Sequence, residues 1–175
     1  MKKIIAFAGS TSRTSINKQL VTYAAQLVSN AEYEILDMND YSMPLFSVDE
    51  EKKGYPDATD RLKAKFLSAD GFIVSLAEHN GSFASAYKNT IDWLSRVERK
   101  MFHDKPMLLM ATSPGGRGGM LVLENAKTYY PRLGAQVVAD FSLPSFNENF
   151  VDGNVVDKEL NAQLAQKVQM LENHL

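Results

Sequence analysis

Residues 9–17 read GSTSRTSIN: five hydroxyl side chains (Ser10, Thr11, Ser12, Thr14 and Ser15) and one guanidinium, Arg13, lie between an apolar run and an amphipathic stretch. Hydroxyls and the unpaired amides at a helix start are donors for anions, each charge-assisted hydrogen bond contributing about 1.5–3 kcal/mol. Gly9 lets the chain turn without a side chain in a ligand's way, and Ser15 or Asn17 is placed to cap the following helix. The chemistry this suits is capture of a phosphomonoester that enters as part of a larger ligand. No Gly-Lys-Ser/Thr ending follows and there is no G-x-G-x-x-G, so neither a nucleoside-triphosphate loop nor a dinucleotide fingerprint is present. A Ser/Thr-capped helix that binds nothing is the competing explanation, and the density of hydroxyls argues against it.

Two further loops carry unusual residues. SLAEHNGS (75–82) ends on a Glu, His, Asn, Gly and Ser in a row, which is no core sequence. Asn80-Gly81 marks a tight turn, and Gly81-Ser82 is expected to open a helix. In SPGGRGG (113–119) four glycines let the backbone lie flat against a planar ring. Backbone donors and acceptors at such edges can read a heterocycle.

The elements that position these loops follow from the apolar runs Lys3–Ala8, Glu34–Met38, Gly71–Ala77, Pro106–Thr112 and Ala135–Phe141. Several lack polar alternation, as strands covered on both faces do. Helical stripes alternate with them: Ile16, Leu20, Tyr23, Leu27 and Val28; Leu62, Phe66 and Leu67; Tyr87, Ile91 and Leu94; Met120 to Tyr130; and Leu160, Leu164, Val168 and Leu171. Five such alternations predict an α/β three-layer sandwich, a five-stranded parallel sheet of order 2-1-3-4-5. Its ligand crevice falls beyond the carboxyl ends of strands 1, 3 and 4, where the three loops begin. Asn39–Tyr55 is expected as a surface excursion, and Arg96–Lys105 as a solvated helix end and turn. Trp93 is expected to anchor packing and Asn89 to bond nearby loops.

The chain has 175 residues, a formal charge of −2 and no cysteine. That length fits one domain, 1–175. The charge argues against nucleic-acid and membrane-surface partners, and the missing cysteine removes thiolate nucleophiles and metal sites. The apolar run in MKKIIAFAG stops too soon for a secretory leader, so a cytoplasmic protein is expected.

On three spaced motifs the chain resembles the NADPH-dependent FMN reductase family, flavodoxin-like proteins that include quinone, azo-dye and chromate reductases. The family pattern G-S-x-R-x-x-S-x-N is met by Gly9, Ser10, Ser15 and Asn17, with Ser12 at the usual arginine position and Arg13 one residue later. In the second motif Glu78, Asn80, Ser82, Lys88, Asn89, Ile91, Asp92 and Trp93 match, while Ala77, His79, Ala84 and Tyr87 replace the usual Pro, Tyr, Pro and Leu. The third, S-P-G-x-x-G-G, matches in full from Ser113 to Gly119. The likeness covers roughly residues 1–145.

The resemblance implies bound FMN with NADPH or NADH as reductant. Its phosphate would lie on Gly9, Ser10, Ser12, Arg13, Ser15, Ile16 and Asn17. Its ring would lie between Ala77, Glu78, His79, Asn80, Gly81 and Ser82 on one side and Ser113, Pro114, Gly115, Gly116 and Gly118 on the other. His79, where relatives carry an aromatic against the flavin, either stacks there or faces solvent. Glu78 either bridges a dimer or faces water. A nicotinamide would reduce the flavin and a small-molecule electron acceptor would follow it, ping-pong, with no catalytic side chain and no metal assigned. Apolar patches on the third and fourth helices, together with the assembly of relatives, imply a homodimer or homotetramer. The alternatives are a non-enzymatic FMN carrier and, more distantly, a phosphate-handling hydrolase.

Overall fold

Short apolar runs separated by amphipathic segments fold here around one twisted sheet; the computed structural model describes all of residues 1–175. The strands are β1 Lys3–Gly9, β2 Glu32–Leu36, β3 Gly71–Leu76, β4 Lys105–Thr112 and β5 Ala135–Leu143. They pair in parallel in the order β2-β1-β3-β4-β5, the flavodoxin-like order expected. The helices are α1 Ile16–Gln26, α2 Asp57–Leu67, α3 Ser85–Val97, α4 Met120–Tyr129 and α5 Lys158–Glu172.

Alternation along β1 splits the core. Ile4 and Ala6 pack under α1 and α5 with Leu20, Val21, Ala24, Leu164 and Val168. Ile5 and Phe7 pack on the other face under α2, α3 and α4 with Leu62, Phe66, Tyr87, Ile91 and Val122. There Phe7, Phe66, Phe102 and Tyr130 form a run of stacked rings with centroids 5.3–5.4 Å apart.

Four expectations need correction. The second strand starts and stops two residues early, because the Asp37 carboxylate accepts from the Asn39 amide at 2.9 Å and opens a 3-10 turn over Met38–Tyr41. Leu67 faces solvent at the last residue of α2. The Arg96–Lys105 segment is not simply solvated, since Met101 and Phe102 are buried and Phe102 joins the ring stack. The apolar residues of α3 (Tyr87, Ile91, Trp93 and Leu94) are all buried within the chain, so that helix offers no apolar patch, whereas α4 leaves Met120 and Leu121 exposed.

The 39–55 excursion lies against α3. Phe46 N–H donates to Asn89 Oδ1 at 2.8 Å, and Asn89 Nδ2 and Trp93 Nε1 both donate to the Pro44 carbonyl, at 2.9 and 2.7 Å. Trp93 and Asn89 are thus structural, as expected.

Asp37 also pairs with Lys18 on α1. The Lys18 ammonium, and then the Asn39 amide, hold its carboxyl down at about 2, against 3.8 for the free group. A carboxyl depressed on folding contributes stability that is present above its unfolded pKa and is lost as pH falls through the folded one. Native protein should therefore lose stability between about pH 4 and pH 2 more steeply than the Asp37→Asn variant. Urea midpoints measured across that range check this, and parallel profiles for the two proteins would refute it.

Candidate functional site

The carboxyl ends of β1, β3 and β4 open into one cleft of about 250 Å³. Its walls come from all three loops: Ser10, Ser12, Thr14, Ser15, Ile16 and Asn17; Ala77, Glu78 and His79; and Thr112, Ser113 and Pro114. The parallel sheet brings them together because every βα turn exits at the same edge.

The first loop is folded by its own hydroxyls. Ser12 N–H donates to Ser10 Oγ at 3.2 Å, and the Ser12 and Thr14 hydroxyls lie 3.5 Å apart. Ser15 is the N-cap of α1, its Oγ accepting from Lys18 N–H at 3.2 Å. The amides of Ile16 and Asn17 are left without an intrahelical acceptor and supply the positive end of the helix dipole to the cleft.

Asn17 is no cap. Its side chain is buried and reaches across to β3 and β4. Its Oδ1 accepts from Ser75 Oγ at 2.7 Å and from Thr112 N–H at 3.1 Å, while its Nδ2 donates to the Thr112 carbonyl at 3.1 Å. One carboxamide therefore ties the first turn of α1 to two strand ends. Nothing local in the sequence signals that role, because the partners are 58 and 95 residues away.

Gly9 ends β1 in ordinary extended geometry. A Cβ there would come within 2.8 Å of the Tyr87 ring, so close packing of Tyr87 demands the glycine irrespective of any ligand. Tyr87 in turn shares a 2.6 Å hydrogen bond with the Tyr130 hydroxyl in the core, and burial pushes both phenols up.

The second loop is a small hairpin, Glu78–His79 against Ser82–Phe83. Asn80 and Gly81 take the left-handed conformation (φ 52° and 75°) that a two-residue turn of this kind requires. Gly81-Ser82 does not begin a helix: α3 starts only at Ser85, after the hairpin closes. The turn amides of residues 80 and 81 carry no ladder bond and stay free. His79 is exposed at the cleft wall. Glu78 is tied within the chain: its Oε2 accepts from Val122 N–H at 3.1 Å in the first turn of α4, which has no side-chain cap of its own.

The third loop is lashed to the segment after β5. The Gly115 carbonyl accepts from Gly118 N–H and Ser145 N–H, the Ser113 carbonyl from Phe146 N–H, and Ser142 Oγ donates to the Gly118 carbonyl. Gly118 and Gly119 sit at φ 57° and 74°, and a Cβ on either would approach protein atoms at 2.9 Å. Gly115 and Gly116 differ: a Cβ there would meet nothing within 4 Å. The fold gives no reason for glycine at those two positions, whereas a flat ligand crossing the backbone does.

Ten of the eighteen residues singled out from sequence line this cleft. Asn80, Gly81 and Ser82 belong to the hairpin whose Glu78 and His79 line the cleft, whereas Gly115, Gly116 and Gly118 follow the lining residues Ser113 and Pro114 in the chain without lining it themselves. Arg13 does not line it; its side chain lies in a groove on the outer side of the loop. Thr14 and Thr112 line the cleft without having been singled out, although Thr14 stands within the hydroxyl run that marks the loop. The residues present fit an FMN-sized ligand at two points. Hydroxyls and open helix amides at the cleft are donors suited to a phosphate, and two glycines leave bare backbone for a ring.

Residues 2–148 match the model of a family described as NADPH-dependent FMN reductase. An NAD(P)H-dependent FMN reductase of Pseudomonas aeruginosa is 31% identical over 117 residues, 66% of this chain and 62% of that protein. An NADPH:quinone oxidoreductase of Arabidopsis thaliana is 27% identical over 184 residues, covering 97% of this chain and 90% of the plant protein. Among solved structures, a flavoenzyme NAD(P)H:(acceptor) oxidoreductase from Paracoccus denitrificans superposes with a TM-score of 0.77 at 25% identity, over 99% of both chains.

Proposed function

Because this chain belongs to the NADPH-dependent FMN reductase family, oxidoreductases whose cofactors are FMN and a nicotinamide nucleotide, we propose that it passes reducing equivalents from NADPH or NADH to a flavin, quinone, azo compound or similar small acceptor. The observation that carries this reading is the convergence of a hydroxyl-lined helix start with a free-amide hairpin and a bare glycine backbone at one sheet edge.

Bound in the cleft, FMN supplies acceptance and redelivery of a hydride. The chain's own residues bind and orient. Ser10, Ser12 and Ser15 and the amides of Ile16 and Asn17 are assigned to the phosphate. The amides at Asn80 and Gly81 are assigned to the pyrimidine edge, where preorganised donors stabilise developing negative charge. Gly115 and Gly116 are assigned to the ring's flank. No side chain is required as acid or base. We assign nicotinamide and acceptor in turn to the open side of the cleft beside the exposed His79, a ping-pong order.

Purified protein saturated with FMN should oxidise NADH or NADPH only when a quinone, azo dye or free flavin is supplied, giving parallel initial-rate lines when both substrates are varied. A protein that binds FMN but leaves nicotinamide untouched with every acceptor is an electron carrier, and the proposal then fails.

A further inference from the structure

We propose that the cradle also accepts FAD, with the adenylyl half in the Arg13 groove; this rests on the flavin reading above. The groove, of about 330 Å³, runs along the outer face of α1 and is bounded by Phe150 and Gly153 of the hairpin that follows β5. It shares Thr14 and Ser15 with the phosphate cleft, so the two spaces meet at the hydroxyl loop. From Ser15 to Gln26 the helix presents about 16 Å of one face, length enough for a nucleoside.

Charge places the phosphates. The cleft is lined by no Lys or Arg, and its lining includes the carboxyl side chain of Glu78. A phosphomonoester carries about −1.5 to −2 near neutrality and gains only hydroxyls and a helix dipole there. A phosphate within a pyrophosphate bridge carries a single charge, so the wall that takes the phosphomonoester of FMN can take it as well. The next phosphate outward then lies toward Arg13, whose guanidinium has no carboxylate partner, whereas Lys18 in the same groove is committed to Asp37. The shift of arginine by one position in GSTSRTSIN, with Ser12 left inside the cleft, is what moves the cation from the inner phosphate to the outer one. The side-chain amide of Gln26 is available to the edge of a purine at the far end.

The test is calorimetric titration of the apoprotein with FMN and, separately, with FAD. FAD is expected to bind at least as tightly as FMN. Arg13→Ala should weaken FAD by about tenfold or more while changing FMN by less than about threefold. Thr22→Trp, which fills the groove from the helix surface, should likewise weaken FAD alone. FAD binding more than about tenfold below FMN in the native protein, or an equal loss of both flavins in Arg13→Ala, overturns the inference. An effect of Arg13→Ala on the KM for NADPH without any change in the FAD-to-FMN ratio also overturns it. Failure of FMN itself to bind would instead sink the reading on which the inference rests.

Discussion

Replacing Asn17 with alanine is expected to destabilise the protein by about 3 kcal/mol and to weaken flavin binding with it. The change strands three buried groups at once: the Ser75 hydroxyl and both the N–H and the carbonyl of Thr112. Each unsatisfied buried group costs about 1–3 kcal/mol, and partial relaxation keeps the total below the simple sum. The loss should exceed that of a surface substitution, which stays within about 0.5 kcal/mol. Because Asn17 fixes the first turn of α1 against β3 and β4, its removal also frees the amides and hydroxyls assigned to phosphate. Asn17→Asp isolates the donor bond to the Thr112 carbonyl. It keeps the acceptor for Ser75 and Thr112 N–H but turns a carboxylate toward the Thr112 carbonyl, so it should be destabilised as well. Urea unfolding and FMN titration of both variants check this; an alanine variant as stable as the native protein would show that the buried link contributes nothing.

Gly118→Ala should cost a further large amount, about 3 kcal/mol, for a different reason. Its φ of 57° is left-handed, which costs an L-residue about 1–2 kcal/mol. The added Cβ would also lie 2.9 Å from the carbonyl carbon and oxygen of Leu143, backbone atoms of the last β5 residue that cannot step aside singly. The loop would have to lift from the Ser142–Phe146 segment that holds it. Gly116→Ala is the control, since its Cβ meets nothing within 4 Å. That variant should unfold within about 0.5 kcal/mol of the native protein yet bind FMN more weakly, because only the ligand occupies the space in question. Chemical denaturation and flavin affinity measured on both proteins distinguish the two glycines. If Gly116→Ala retained full affinity, the assignment of that backbone to the ring's flank would be wrong.

Several features were legible before any coordinates. The apolar runs and stripes predicted five strands and the helices between them, because β1, β3 and β4 are covered on both faces and the amphipathic helices each bury one side. The hydroxyl loop, the Asn80-Gly81 turn and the glycine loop were readable because turn chemistry and helix capping act over a few residues. Less legible were features that depend on distant partners. Phe102 lies in a polar-looking stretch, and only its stack against Phe66 and Tyr130 makes it core. Glu78 looks like a surface acid until α4 brings the Val122 amide to it.

The sequence by itself determined the order of strands and helices, the edge at which the three loops gather and the kind of ligand their polar atoms suit. Those properties follow from periodicity, turn residues and donor chemistry, which are local. The tertiary structure alone decided which way each polar side chain faces. It turned Asn17 inward to bind β3 and β4, gave Gly9 to the packing of Tyr87, and set Arg13 in the groove outside the cleft. Those outcomes depend on residues tens of positions apart meeting in space, and a buried polar atom takes whatever partner the packed core brings within reach.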